Sequence, residues 1–115
     1  MSDIVKTEII DNVALLTLND PDRLNALSLD MIAELHKNII LINNGEIKAR
    51  CLVITGAGRG FCAGANLIEG AGKSSFEDID PGKALEEHYH PFLVDLKNLK
   101  IPLITAVNGV AAGAG

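Results

Sequence analysis

The chain is poor in aromatic side chains and in cysteine. Phe, Trp and Tyr make up only 3% of its 115 residues, so Leu, Ile, Val and Ala must fill any core. The two cysteines, Cys51 and Cys62, lie in unlike contexts, and two thiols alone make neither a disulfide framework nor a metal site. The three histidines, His36, His88 and His90, share no metal-ligand spacing with cysteines or carboxylates. We therefore expect a reduced protein without a metal centre.

Long hydrophobic runs and positive charge are also lacking. No apolar stretch approaches the length of a membrane span, and residues 1–10 do not resemble a secretory signal. A net charge of −5 argues against a general surface for nucleic acid or anionic lipid. A hydrophobic content of 48% is nonetheless typical of a globular chain. We expect a cytoplasmic protein of one domain, with no nucleic-acid or membrane partner.

The first part of the chain alternates between strand and helix patterns. Two β-prone runs, residues 4–10 and 13–18, flank Asp11 and Asn12, which predicts a hairpin. Ser28 is a predicted N-cap, and the apolar residues after it recur at helical spacing up to residues 43–45.

The second part repeats these patterns. Residues 51–55 and 101–107 are apolar nearly throughout, which predicts strands covered on both faces of a parallel sheet. Residues 84–99 form a predicted helix that kinks or restarts at Pro91. The order of elements indicates a layered α/β fold. Since a strand and a run of small residues normally open a helix, we expect residues 1–115 to be the N-terminal portion of a longer domain.

Two loops of small residues carry the functional signal. "FCAGANL" follows one predicted strand and "NGVAAGAG" follows the other. Tight turns alone explain one such loop, but two at the ends of parallel strands favour a ligand site, where free backbone N–H groups can hold negative charge. A phosphate-binding P-loop does not fit, since Leu67 stands where that motif needs glycine. A dinucleotide reading through Gly58, Gly60 and Ala63 lacks the second strand with its acidic residue.

Three motifs together resemble the enoyl-CoA hydratase/isomerase (crotonase) superfamily. They are "NDPDRLNALS", "LVITGAGRGFCAGANL" and "PLITAVNGVAAGAG", in the order and spacing of that family. With "EHYHPF", they are most similar to the 1,2-epoxyphenylacetyl-CoA isomerase-like branch. The resemblance implies a crotonase-like spiral of ββα units, an acyl-CoA substrate, and a homotrimer or hexamer of the full-length chain. Coenzyme A would be part of the substrate thioester, and no separate cofactor is implied.

The resemblance also assigns residues to roles. The oxyanion-hole donors would be the N–H groups of Ala65 and Ala114, where alanine replaces the family's glycine in the second loop. Asn66 stands where the family commonly has Asp, which removes a charge. The residues implied to contact the coenzyme are Arg23 at a phosphate, Ala26 at the pantetheine, and Ala63, Gly64, Asn66 and Leu67 in the first loop.

Such a site stabilises the enolate of a thioester, and carboxylates then move the protons. In the family these carboxylates come after the "GAG" motif, beyond Gly115, so the 115-residue chain alone is expected to be inactive. Two alternatives stay open. One is a non-catalytic acyl-CoA-binding or assembly module, and the other is a fragment of a nucleotide-binding dehydrogenase.

Overall fold

The computed structural model describes residues 3–65 and 85–115, in which six strands and four helical segments lie. The strands are β1 (Val5–Ile10), β2 (Val13–Leu18), β3 (Cys51–Gly56), β4 (Gly60–Cys62), β5 (Leu103–Ala106) and β6 (Val110–Ala111). The helical segments are a 3₁₀ turn (Pro21–Arg23), helix α1 (Leu29–Asn43), a π-helical turn (Leu85–Tyr89) and helix α2 (His90–Lys97). No helix in these stretches is long and apolar enough to cross a bilayer.

The first two strands form the predicted hairpin. β1 pairs with β2 in antiparallel register, from Val5 opposite Leu18 to Ile10 opposite Val13. Asp11 and Asn12 connect them with φ angles of 49° and 68°. Positive φ at both central residues is the conformation of a type I′ turn, whose twist matches that of the flanking strands.

Helix α1 begins and ends where its sequence predicts. The Ser28 hydroxyl accepts a hydrogen bond from the Met31 N–H at 3.1 Å, which satisfies a backbone donor that the helix itself cannot pair. After the helix, Gly45 adopts φ +85°, a conformation that glycine adopts without strain. The buried face of α1 lies on the main sheet and carries Met31, Ile32, Leu35, Asn38, Ile39 and Ile42.

The strands form a mixed main sheet and a small parallel sheet. The main sheet has the order β1-β2-β3-β5, with β3 parallel to both neighbours. A second sheet pairs β4 with β6, also in parallel. Each long strand in the main sheet, β3 or β5, is therefore followed by a short strand in the second sheet. This repetition, separated by helical segments, is the predicted arrangement of ββα units.

The C-terminal helix changes type at the predicted proline. A π-helical turn ends at Tyr89, and α2 begins at His90 with Pro91 in its first turn, where the missing N–H costs nothing. Helix α2 packs on α1 through a hydrogen bond between His36 Nε2 and Asp95 Oδ2 at 2.6 Å. The His36 and Phe92 rings meet edge to face, with centroids 6.0 Å apart.

Two expectations about strand burial are wrong. β3 buries Leu52 and Ile54, while Cys51 and Val53 on its other face are only half-buried. β5 was expected to be a buried strand, yet all four of its residues are exposed. The reason is its position, since β5 is the last strand of the main sheet and the described residues supply no layer over it.

Candidate functional site

The two small-residue loops lie side by side, as predicted. β3 and β5 are parallel neighbours with Thr55 opposite Ala106, so both strands end at the same edge of the sheet. The loops then pair again as β4 and β6, with Gly60 opposite Val110 and Cys62 opposite Ala111. Both segments were predicted as loops. Their short strands were missed, because two or three residues are too few to show a strand pattern.

The loops approach each other closely at Gly64. This residue is buried and has φ +102°. A Cβ on it would lie 2.8 Å from the Ala112 carbonyl oxygen and 3.5 Å from the Ala114 nitrogen. The first loop is therefore built of small residues partly because the backbone of the second loop occupies the space where larger side chains would lie.

The direction of the Ala65 N–H is fixed by the early loop, which is the segment "NDPDRLNALS" at residues 19–28. The Gly64 carbonyl oxygen accepts a hydrogen bond from the Leu27 N–H at 2.7 Å, and Leu27 forms an isolated parallel bridge with Ala65. In a trans peptide unit the N–H points away from the C=O, and the described residues contain no cis bond. The Ala65 N–H therefore points away from Leu27, and it has no hydrogen-bond acceptor among the described residues.

The Ala114 N–H lies within a tight turn. The Gly115 N–H donates to the Ala112 carbonyl oxygen at 2.8 Å, and Gly113 has φ +53° at the second position of the turn. The Ala114 N–H, at the third position, takes no part in that bond and has no acceptor among the described residues. Two backbone donors that have no acceptor within residues 3–65 and 85–115 thus lie close to Gly64, an arrangement suited to an oxygen that gains negative charge.

The other residues predicted to contact the coenzyme, on the first and early loops, differ in exposure and in whether the structure describes them. Ala63 is exposed, but its N–H already donates to the Leu24 carbonyl oxygen at 2.9 Å. Ala26 is half-buried, and its N–H donates to the Arg23 carbonyl oxygen at 3.1 Å. The early loop thus lies against the first loop, and the contacts with the coenzyme stay a prediction. The predicted contacts at Asn66 and Leu67 lie outside the described residues.

Arg23 lies in acidic surroundings. Its guanidinium is 3.5 Å from the Asp20 carboxylate, and its side chain is 59% exposed. Asp3 and Asp30 line the same shallow depression. A phosphate at Arg23 would therefore have to compete with Asp20. Among the described residues, no cluster of His, Cys, Asp and Glu could hold a metal ion.

Sequence reasoning missed Asn25, which holds the first loop from one side. Asn25 is fully buried, and its Oδ1 accepts from the Asp20 N–H at 2.8 Å. Its Nδ2 donates to the Gly60 carbonyl at 3.0 Å and to the Phe61 carbonyl at 3.1 Å. From the motif "LNAL" alone, Asn25 is predicted only to lie in a loop. Its hydrogen-bond acceptors could not be predicted, because they lie more than thirty residues away in the sequence.

Asn108, also missed, holds the first loop from the other side. Its Oδ1 accepts from the Gly56 N–H at 3.0 Å. Its Nδ2 donates to the Gly58 carbonyl at 3.0 Å and to the Gly60 carbonyl at 3.3 Å. The pair "NG" at this position predicts a turn. That prediction does not show that the Asn108 side chain joins the second loop to the residues before the first loop.

Tyr89 and Cys62 are both buried, Cys62 within the first loop and Tyr89 close to it. The Tyr89 hydroxyl donates to the Leu27 carbonyl oxygen at 2.9 Å. Burial, and then the charge of a Cys62 thiolate, raises the pKa of Tyr89, so the hydroxyl keeps the proton that it donates. Burial also raises the pKa of Cys62, although a hydrogen bond with the Gly64 backbone partly lowers it.

The sequence as a whole identifies the family. The family profile described as Enoyl-CoA hydratase/isomerase matches residues 8–115. The chain belongs to the enoyl-CoA hydratase/isomerase family. It is 40% identical over 115 residues to the 1,2-epoxyphenylacetyl-CoA isomerase of Escherichia coli K12, covering 100% of this chain and 44% of that protein. A Rhodobacter capsulatus protein named "Probable enoyl-CoA hydratase" is 37% identical over 111 residues, with coverages of 96% and 40%.

Solved structures confirm the crotonase-like fold of this family member. Pseudomonas aeruginosa PA4980 superposes with a TM-score of 0.81 at 31% identity, covering 100% of this chain and 49% of that one. An enoyl-CoA hydratase of Mycobacterium smegmatis superposes with a TM-score of 0.76 at 28% identity, with coverages of 90% and 39%. The chain thus spans less than half the length of these relatives.

Proposed function

We propose that the complete protein containing this chain is an acyl-CoA enzyme of the hydratase/isomerase type that stabilises a thioester enolate. The observation that carries the proposal is the junction at Gly64, where the Ala65 and Ala114 N–H groups lie on two neighbouring loops and have no acceptor in the part of the chain that the structure describes. Donors fixed in place before the reaction stabilise a developing oxyanion more than they stabilise a neutral carbonyl.

The chemistry divides between binding residues and proton carriers. Backbone around Ala63–Ala65, with Ala26 and Arg23 from the early loop, would hold the coenzyme arm of the substrate, and Asn66 and Leu67 would extend this contact. Coenzyme A enters as part of the thioester, and no separate cofactor is required. Carboxylates beyond Gly115 would act as acid and base, so the 115-residue chain would bind but not turn over substrate.

The finer identity of the reaction follows the resemblance. The 40% identity to an epoxyphenylacetyl-CoA isomerase supports a ring-isomerase branch of the family. The proposal extends to a cytoplasmic homotrimer or hexamer of the complete protein, as the family resemblance implies.

Enolate formation can be measured without knowing the natural substrate. A 3-oxoacyl-CoA ionises to an enolate whose ultraviolet absorption differs from that of the neutral form. We expect the complete protein to bind acetoacetyl-CoA and to shift it towards the enolate at neutral pH, because the two N–H groups lower the pKa of the bound thioester. Crotonyl-CoA turnover, followed in parallel, should occur with the complete protein and not with residues 1–115.

Three results separate the candidates. Binding with an enolate band supports the enzyme proposal. Binding without that band, and without turnover, supports an acyl-CoA-binding module instead. Binding of NAD(H) without binding of a CoA ester would contradict both and support a dehydrogenase fragment.

A further inference from the structure

We propose that Tyr89 is a positioning residue for the oxyanion donor at Ala65. This assignment rests on the proposed function, because it concerns how the Ala65 N–H is held in the orientation that an oxyanion needs. Tyr89 touches no reacting atom in this account and acts through Leu27.

The contact joins two distant parts of the sequence. The Tyr89 hydroxyl donates to the Leu27 carbonyl oxygen at 2.9 Å across 62 positions of sequence. Tyr89 is only 5% exposed and Leu27 only 7%, so water competes little for this bond. Tyr89 thus fixes one peptide unit of Leu27 in place.

The other peptide unit of Leu27 reaches the site. The Leu27 N–H donates to the Gly64 carbonyl oxygen at 2.7 Å, the shorter of the two bonds. The Gly64 carbonyl and the Ala65 N–H belong to one planar peptide unit, so a rotation of that carbonyl rotates the N–H by the same angle. The relay therefore runs from the Tyr89 hydroxyl through Leu27 to the Ala65 N–H.

Leu27 needs this second anchor because of its place in the chain. On one side it is followed by Ser28, the N-cap that fixes the start of α1. On the other side it follows the loop containing Asn25, where positive φ angles at Leu24 and Asn25 turn the chain. Without the Tyr89 hydroxyl, the buried Leu27 carbonyl would lose a partner, and among the described residues only the Ser28 N–H bond to the Ala26 carbonyl oxygen, at 3.0 Å, would still hold that peptide unit.

A control for helix packing lies on the same segment. Asp95 in α2 contacts α1 through His36 at 2.6 Å, and its backbone carbonyl accepts from Asn43 Nδ2 at 3.2 Å. Asp95→Asn removes the charge of this pair and leaves the Tyr89–Leu27 bond in place. It therefore loosens the same helices without a direct effect on Gly64.

The decisive experiment compares Tyr89→Phe with Asp95→Asn in the complete protein. We expect Tyr89→Phe to lower kcat about tenfold with little change in KM, since a misaligned donor weakens the transition state more than the ground state. The carbonyl stretch of a ¹³C-labelled thioester bound to the protein should shift less in Tyr89→Phe than in the wild type. Asp95→Asn should lower the denaturation midpoint and leave kcat and the carbonyl shift unchanged.

A variant that keeps the hydroxyl completes the test. Site-specific replacement of Tyr89 by 3-fluorotyrosine retains the donor, so kcat and the carbonyl shift should return to wild-type values. If Tyr89→Phe keeps the wild-type kcat and carbonyl shift, or if Asp95→Asn loses both equally, Tyr89 has only a structural role and the inference is wrong. If the wild type itself shows no carbonyl shift on binding, the proposed function fails, and the Tyr89 assignment fails with it.

Discussion

Asn25 and Asn108 donate hydrogen bonds to the same carbonyl oxygen, that of Gly60, at 3.0 and 3.3 Å. One asparagine comes from the early loop and the other from the start of the second loop, and Gly60 is the first residue of β4, directly before the first loop. The three motifs that identify the family are therefore joined at one atom. The stability of this junction and the geometry of the site should depend on each other.

Removing the two amides should give unequal and coupled effects. Asn25→Ala removes a buried donor from the Gly60 and Phe61 carbonyls and should cost about 3 kcal/mol of unfolding free energy. Asn108 is exposed, so water can replace its bonds, and Asn108→Ala should cost about 1 kcal/mol. Because the residues share the Gly60 oxygen, the double variant should depart from additivity by about 0.5 kcal/mol or more in denaturant titrations. Strict additivity would show that the shared acceptor has no energetic importance.

A methyl group at Gly64 should separate the two loops. Its Cβ would lie 2.8 Å from the Ala112 carbonyl oxygen at φ +102°, so Gly64→Ala combines a clash with backbone strain and should cost about 3 kcal/mol. Gly113→Ala is the matched control, since Gly113 has φ +53° but nothing within 4 Å of its Cβ position. It should cost about 1 kcal/mol from strain alone. Equal losses of stability in the two variants would contradict the close approach of the loops.

The buried thiol of Cys62 should make the protein less stable in alkali. Burial raises its pKa in the folded state above the ordinary value of 9.0, so the unfolded chain loses this proton first as the pH rises. The folded state then binds more protons than the unfolded state, and the unfolding free energy falls with rising pH. We expect denaturation midpoints measured from about pH 8 to 10 to fall less steeply in Cys62→Ala than in the wild type. Identical slopes would show that burial does not favour the protonated thiol.

Local patterns predicted the elements that local chemistry determines. The Asx residues Asp11 and Asn12 predicted the turn, and the hydroxyl of Ser28 predicted the helix cap. Pro91 predicted the position at which the helix changes type. The placement of the small-residue loops at adjacent strand ends also followed from the sequence, because the apolar runs at 51–55 and 101–107 are typical of parallel strands.

What the sequence could not predict depends on contacts between distant residues. Nothing in the letters around Asn25 or Asn108 shows that both amides reach Gly60, since each amide lies more than thirty positions from that carbonyl. The hydroxyl of Tyr89 similarly reaches Leu27 only once α2 packs on α1. β5 was predicted to be buried, yet it is exposed, since it is the last strand of the main sheet among the described residues and its apolar composition does not show which strands cover it.

In the proposed mechanism the Ala65 N–H stabilises the oxyanion. Replacing the amide that carries this N–H with an ester tests this role most directly. The ester at position 65 in the complete protein removes the N–H and no side-chain atom. Since this N–H has no acceptor among the described residues, folding should be little affected. The matched ester at Ala57 removes a structural N–H that donates to the Leu18 carbonyl at 2.8 Å. The account predicts a fall in kcat of about 100-fold at position 65 and a wild-type kcat at position 57. A position 65 ester that keeps the wild-type kcat would contradict the account.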